Sequence, residues 1–367
     1  MIDFRLECVT CGQRIDPTKT VGTCPDCGAI NGTLDLVYDL TPGVRPDSLG
    51  ATGQGMFRLL PLLPIGADFP TTTLRVGDTP LYDAPAIASR LGIRRLFIKD
   101  EGLNPSASIK DRATAVALAH AAHLGHRTVT TASTGNAASS LAIIAASMCI
   151  KAVIFVPRTA PDPKVAQMLL AGATVIRVAG TYDEAFDMAA EAAPRFGWYS
   201  RNTATNPYLA EGKKTCAIEA AEALHWEVPD HCAVGVGDGC VYAAMHKGFK
   251  ELATAGLTSA LPRMLGVQAQ GCAPLARAFE SGGEFQPIDR PDTYADSIAV
   301  GVPRDRVKAL RAARESKGAI ISVTDERIRE AVRLLASSAG VFAEPAGAAG
   351  LAGLIESSAR GVLAPDS

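Results

Sequence analysis

The sequence has little net charge. Its 36 lysines and arginines nearly balance 38 aspartates and glutamates, leaving -2 over 367 residues. A dedicated nucleic-acid binder needs a basic face, so that class is set aside. Long apolar runs are also missing. The most apolar stretch, "SSLAIIAASMCIKAVIFV", is interrupted by Lys151 and reads as a helix followed by a strand, so no membrane span is expected. The first ten residues, "MIDFRLECVT", lack the apolar core of a signal peptide. A cytoplasmic protein with neither nucleic acid nor membrane as a partner is the expectation. No short tandem repeat is present.

A disulfide framework is lacking too. Five of the nine cysteines, Cys149, Cys216, Cys232, Cys240 and Cys272, are scattered singly, and an odd, scattered set does not build paired bridges. The other four sit in "CVTCGQRIDPTKTVGTCPDCG", residues 8–28, as two Cys-x-x-Cys-Gly units with twelve residues between Cys11 and Cys24. Each pair can chelate from a tight turn, and the glycine lets the backbone fold around the sulfurs. Four thiolates from Cys8, Cys11, Cys24 and Cys27 make a closed tetrahedral zinc site, structural because no position stays open for water. The alternative is four unligated thiols. The knuckle carries few basic residues (Arg14, Lys19), which speaks against nucleic-acid binding.

What is present is alternation. Apolar content is 47% and charged content 20%, suited to a soluble globular protein of two or three domains. Residues 40–70, rich in Pro, Gly and Leu, read as a connector. Beyond residue 90, strand-like runs ("RRLFIKD", "RTVTTAS", "KAVIFVP", "ATVIRVAG", "CAVGVGDG", "RMLGVQAQ", "AIISVTD") alternate with alanine-rich helical ones. That order predicts an α/β fold with mainly parallel sheets and ligands at the carboxyl ends of strands.

Three loops fall at such positions: "NPSASIKDRA" with Lys110, "TASTGNAASS" (131–140) and "VGVGDGCVYAA" (234–244). A glycine-rich turn entering a helix offers backbone N–H groups to an anion. A lysine facing such loops can form an imine with an aldehyde that also carries a phosphate, and pyridoxal 5′-phosphate is such a molecule. "GVGDG" lacks the full G-x-G-x-x-G spacing of a nicotinamide site. Taken singly, Lys110 could equally be a surface lysine and "STGN" a capped helix entry.

From about Gly55 onward the sequence resembles the fold-type II pyridoxal-phosphate enzymes, and most closely the threonine synthases. The resemblance is carried by "GMFRLLPLLP", "VGDTPL", "LFIKDEGLNPSASIKDR", "STGNAASSLA", "GTYDEA", "NPYLAEGKKT", "LPRMLGVQAQG", "TYADSI" and "FAEPAGAAGLAGL". It implies a two-lobed fold: a knuckle over 1–35, a large cofactor-binding lobe over 36–130 and 207–367, and a small mobile lobe over 131–206 that closes over the amino acid. It implies that Lys110 carries the cofactor and shuttles protons, and that Asn136 bonds the cofactor's ring oxygen. Ser133, Thr134 and Gly135 would hold the substrate carboxylate, and Gly237, Asp238, Gly239, Cys240 and Val241 the cofactor phosphate, with the Asp238 side chain turned away. Glu344 stands either near the pyridine ring or in a purely structural turn. A homodimer is implied as well.

The implied activity is conversion of O-phospho-L-homoserine and water to L-threonine and phosphate. The nearest alternatives are dehydration of serine or threonine and β-replacement on an O-activated serine; one of a different class is a catalytically silent zinc-ribbon regulator. Two departures bear on the substrate. Ser106, Ala107, Ser108 and Ile109 stand where threonine synthases read Thr-Gly-Ser-Phe, and Leu209 stands where many have Arg. The family pattern also continues past "LAPDS" to a "TGxG" turn that meets the pyridine nitrogen; that segment is expected to lie outside these 367 residues. His120, His123 and His126 lack a carboxylate partner and read as surface or packing residues. Lys213 and Lys214 face either the active-site mouth or solvent.

Overall fold

The computed structural model describes residues 3–16, 22–40, 53–282 and 284–367. In chain order its strands are β1 Phe4–Cys8, β2 Arg14–Ile15, β3 Leu34–Tyr38, β4 Leu81–Asp83, β5 Phe97–Lys99, β6 Thr128–Ala132, β7 Lys151–Pro157, β8 Thr174–Val178, β9 Tyr199–Ser200, β10 His231–Gly235, β11 Arg263–Ala269 and β12 Ala319–Val323. The helices are α1 Gly28–Asn31, α2 Pro85–Leu91, α3 Lys110–His123, α4 Asn136–Ser147, α5 Asp162–Leu170, α6 Tyr182–Arg195, α7 Tyr208–Ala223, α8 Cys240–Thr254, α9 Pro274–Ser281, α10 Arg306–Glu315, α11 Asp325–Ala339 and α12 Pro345–Ala359. They group into two compact units. One takes the N-terminal sheet, 53–79 and Glu101–Thr215; the other takes Pro80–Asp100 and Cys216–Ser367.

The first unit holds two sheets. The N-terminal one is antiparallel in the order β2-β1-β3, with Leu6 opposite Ile15 on one side and Leu36 on the other. The larger is parallel in the order β8-β7-β6-β9. Its central strand "KAVIFVP" is buried at every residue after Lys151, as a strand covered on both faces must be. Ala185, Phe186, Ala189 and Ala192 of α6 pack on Ala132, Val153, Phe155 and Val178. A capping box starts α6: the Thr181 hydroxyl accepts from the Glu184 N–H, and the Glu184 carboxylate accepts from the Thr181 N–H.

Helix α3 is buried from Asp111 to Ala121 on all its faces. Alanine makes this possible by letting neighbours approach closely. The tightest approach is from α7, where a Cβ on Gly212 would lie 1.9 Å from the Arg112 carbonyl oxygen. Only glycine fits there.

The second unit is built on a parallel sheet, β10-β11-β12, with Val234 beside Gly266 and Val267 beside Ile321. Helices α11 and α12 close its core through Ile328, Leu335 and Ile355 against Leu265, Val267 and Val323. An antiparallel β4-β5 pair belongs to the same unit.

Two stretches bear on the expected boundaries. Part of the connector (41–52) lies outside the described residues; the remainder is not a passive link, because Met56, Leu59 and Leu62 in the 3-10 turns at 55–62 are fully buried. By contacts, the first unit runs through Glu101–Thr215. Thr114 on α3 bonds the Ser140 hydroxyl and the Arg201 Nε, and His120 Nδ1 lies 2.8 Å from the Tyr199 hydroxyl. Those buried bonds keep α3 with the 131–206 segment.

Candidate active site and metal centre

Lys110 is the first residue of α3 and is half-buried. The loop before it is shaped by its own side chains. Ala107 takes a left-handed backbone conformation, φ 57°. The Asp111 carboxylate, fully buried, accepts from the Ser106 N–H at 2.6 Å and the Ser106 hydroxyl at 2.5 Å. Burial pushes the Asp111 carboxyl above its usual range, and the Ser106 bonds oppose that shift. The Lys110 N–H donates to the Ser108 hydroxyl at 3.3 Å. The Thr114 hydroxyl donates to the Lys110 carbonyl at 3.0 Å, and Arg201 donates to the same oxygen at 3.5 Å.

Arg112 is fully buried. Its Nε and Nη2 grip the Glu101 carboxylate at 2.6 and 2.8 Å, and Nη1 donates to Thr215 at 2.8 Å. Thr79 and Asn104 donate to the same carboxylate. The Asp-Arg pair after Lys110 is therefore not a solvated helix start. Each charge fixes a different side of the turn that presents the lysine.

The second loop, Ser133-Thr134-Gly135, joins β6 to α4 and is half-exposed. The Ser133 hydroxyl accepts from the Gly135 N–H at 3.2 Å. Asn136 is the first residue of α4. The Thr114–Ser140 bond joins α3 to α4 at 2.7 Å, and Lys110 and Asn136 each lie four residues, about 6 Å of helix, upstream of it. Lys110 and the "STGN" turn thus belong to one neighbourhood within one unit.

The third loop, Gly237–Gly239, leads from β10 into α8, whose first residues are Cys240 and Val241. Gly239 is left-handed at φ 93°, and a Cβ there would lie 2.8 Å from the Ala309 Cβ. Gly239 also has no side chain to cap the helix, so the dipole end is presented by backbone alone. The Asp238 carboxylate accepts from the Arg304 N–H at 3.2 Å, and its carbonyl accepts from the Asp305 N–H. Glu344 is the exposed N-cap residue of α12 and accepts from the Ser297 hydroxyl at 3.4 Å.

The four knuckle cysteines bring their sulfurs within 4.8 Å of one another, with Cys11 and Cys24 3.8 Å apart. A thiolate tetrahedron at about 2.3 Å from zinc has an edge of about 3.8 Å. The contact with Cys11, with burial and Cys8 adding, pushes the Cys27 thiol up to about 12. The cluster can hold a metal ion, and a cation at its centre would offset that crowding.

Residues 72–367 match the family model described as "Pyridoxal-phosphate dependent enzyme". A threonine synthase of Methanosarcina acetivorans is 37% identical over 99% of this chain and 89% of its own length. One from Methanocaldococcus jannaschii is 38% identical over 98% and 89%. The chain belongs to the threonine synthase family of pyridoxal-phosphate dependent enzymes. Solved structures support this fold: a tomato (Solanum lycopersicum) threonine deaminase superposes with TM-score 0.69 over 96% of this chain and 91% of its own at 21% identity. A maize serine racemase gives 0.65 over 76% and 80% at 22% identity.

Other residues of this threonine synthase family member divide cleanly. Leu209 is fully buried. Lys213 and Lys214 are buried too, which rules out solvent for both; Lys214 pairs with Glu211 at 2.6 Å and sits 4.0 Å over the Tyr38 ring. The three histidines pack: His120 stacks on Tyr208, His123 on Phe69, and His126 lies edge-on to Tyr199. Burial lowers the His120 pKa to about 4, so it is neutral at ordinary pH. Sequence reasoning missed the Arg112–Glu101 clamp, Arg201 and Asn202. The one available signal was a "KDR" charge triplet opening an alanine-rich helix with no polar stripe to follow.

Proposed function

We propose that this protein converts O-phospho-L-homoserine and water to L-threonine and phosphate, with pyridoxal 5′-phosphate held at Lys110. The observation that carries the proposal is the match to proteins named threonine synthase over nearly the whole chain. The residues suit the cofactor. A half-buried lysine stands at a helix start, and a loop where a Cβ would collide leads into the fifteen-residue helix α8. When bound, the cofactor supplies an electron sink for charge developing at the substrate α-carbon.

The protein groups do the rest. Lys110 Nζ, as a neutral amine, would take the α-proton and return protons later in the cycle. Ser133, Thr134 and Gly135 hold the carboxylate, which fixes the α-carbon relative to that amine. Asn136 would donate to the ring oxygen. The N–H groups of Gly237, Asp238, Gly239, Cys240 and Val241 would hold the cofactor phosphate, and the bond from Arg304 keeps the Asp238 carboxylate engaged elsewhere. Glu344 would stand either near the pyridine ring or in a purely structural turn.

The test is a substrate panel. Phosphate release from phosphohomoserine with threonine as the product is expected. Keto-acid release from serine or threonine, at a higher rate, would replace this reading with a dehydratase, for which the buried, uncharged Leu209 provides a motive.

We propose further that Cys8, Cys11, Cys24 and Cys27 hold one structural zinc. Cys24→Ser, or prolonged chelation, is expected to lower the melting temperature by several degrees while turnover per folded molecule stays within about twofold. Metal-free protein with unchanged melting would count against it, as would lost chemistry in a protein that melts normally.

A further inference from the structure

Asn202 follows β9 and is 2% exposed. Its side-chain oxygen accepts from the Ala132 N–H at 2.9 Å and the Thr131 hydroxyl at 3.0 Å. A backbone N–H can only donate, so the oxygen must face it and the amide cannot be turned round. The other end of the group, Nδ2, is buried and has no hydrogen-bond partner among the described residues. Buried amide donors are almost always satisfied. One that is locked in orientation by its own oxygen and left without a protein acceptor marks where an acceptor arrives from outside.

The surroundings say what that acceptor is. Ala132 ends β6, and the chain passes from it directly into Ser133-Thr134-Gly135. A Cβ on Gly135 would meet nothing within 4 Å, so the turn borders open space. The twelve-residue helix α4 starts immediately after, and its N-terminal end favours negative oxygen. All these groups lie in the same compact unit.

We propose that Nδ2 of Asn202 is a further donor to the α-carboxylate of the bound amino acid, acting beside the Ser133–Gly135 turn. This rests on the proposed function and adds a binding residue to it. Asn202 contributes to holding the acid rather than to moving protons, and it selects against amines that lack a carboxylate.

Asn202→Asp in the holoenzyme is the decisive variant. It keeps the oxygen that Thr131 and Ala132 require and replaces the donor with an oxygen that is negative at neutral pH. The probes are L-phosphohomoserine and L-alanine, which carry the carboxylate, and 3-aminopropyl phosphate, which does not. Binding is followed by the change each causes in the visible absorbance of the bound cofactor. The two amino acids are expected to bind about tenfold or more weakly, with cofactor content and melting temperature unchanged and 3-aminopropyl phosphate little affected. Their affinity should recover as pH falls, because the introduced carboxyl regains a donor once protonated; a structural role would not produce that recovery. Asn202→Ala, which also removes the oxygen, should lower the melting temperature. Wild-type affinity for L-alanine in Asn202→Asp would overturn the inference, as would an equal loss for all three probes. An unsubstituted protein that responds to no amino acid would sink the proposed function itself.

Discussion

Lys110→Ala should reduce turnover by at least about a thousandfold and end covalent attachment of the cofactor, while the protein stays folded. The loss has two sources. The alanine cannot form the imine, and it cannot take the α-proton. The fold should survive because the variant keeps backbone bonds that hold the loop: the N–H bonds Ser108, and the carbonyl accepts from Thr114 and Arg201. Lys110 begins its helix, so alanine there costs little, within about 1 kcal/mol. Borohydride reduction followed by peptide mapping is the check. A variant that still traps cofactor on another lysine and turns over near the wild-type rate would show that Lys110 was wrongly chosen.

The second large effect concerns stability. Arg112→Met should destabilise the protein by about 3–5 kcal/mol, because it leaves the Glu101 carboxylate facing a hole where a guanidinium stood. That carboxylate also accepts from Thr79 and Asn104, so its neighbours are committed to a charge that has lost its partner. Glu101→Leu alone should cost a similar amount by stranding Arg112. The double variant should cost clearly less than the sum, since neither charge is then buried alone. Urea unfolding of the four proteins measures this directly. Additive losses would mean that the two residues act separately despite their 2.6 Å contact.

Much of the frame could be read from sequence. "KAVIFVP" is β7 to the residue, and the strand-like run "AIISVTD" holds β12 with two residues to spare. Such elements are legible because their own apolar spacing determines them. α7 is different. "YLAEGKKTCAIEAAEA" buries Glu211, Lys213 and Lys214, so its inward face carries charges and its periodicity is masked. Among the proposed site residues, Lys110, the "STGN" turn and the "GVGDG" loop announce themselves through residue type. Arg112, Glu101 and Asn202 do not, because what matters in them is the partner each acquires. Asn202 is brought to Thr131 across 71 positions, a pairing that exists only once β6 and β9 lie side by side.

A long-distance bond ties the N-terminal sheet to α7. The Tyr38 hydroxyl donates to Glu211 at 2.6 Å across 173 positions. During synthesis that partner emerges roughly 9–35 s after Tyr38 does, at about 5–20 residues per second. Through that interval, strands of five, two and five residues have no α7 to lean on. A sheet so small is marginal by itself in water. A metal clasp that closes locally, between residues 8 and 27, would let the ribbon persist while it waits on the ribosome. Its greatest benefit would then fall before the enzyme exists, as a safeguard of the nascent chain.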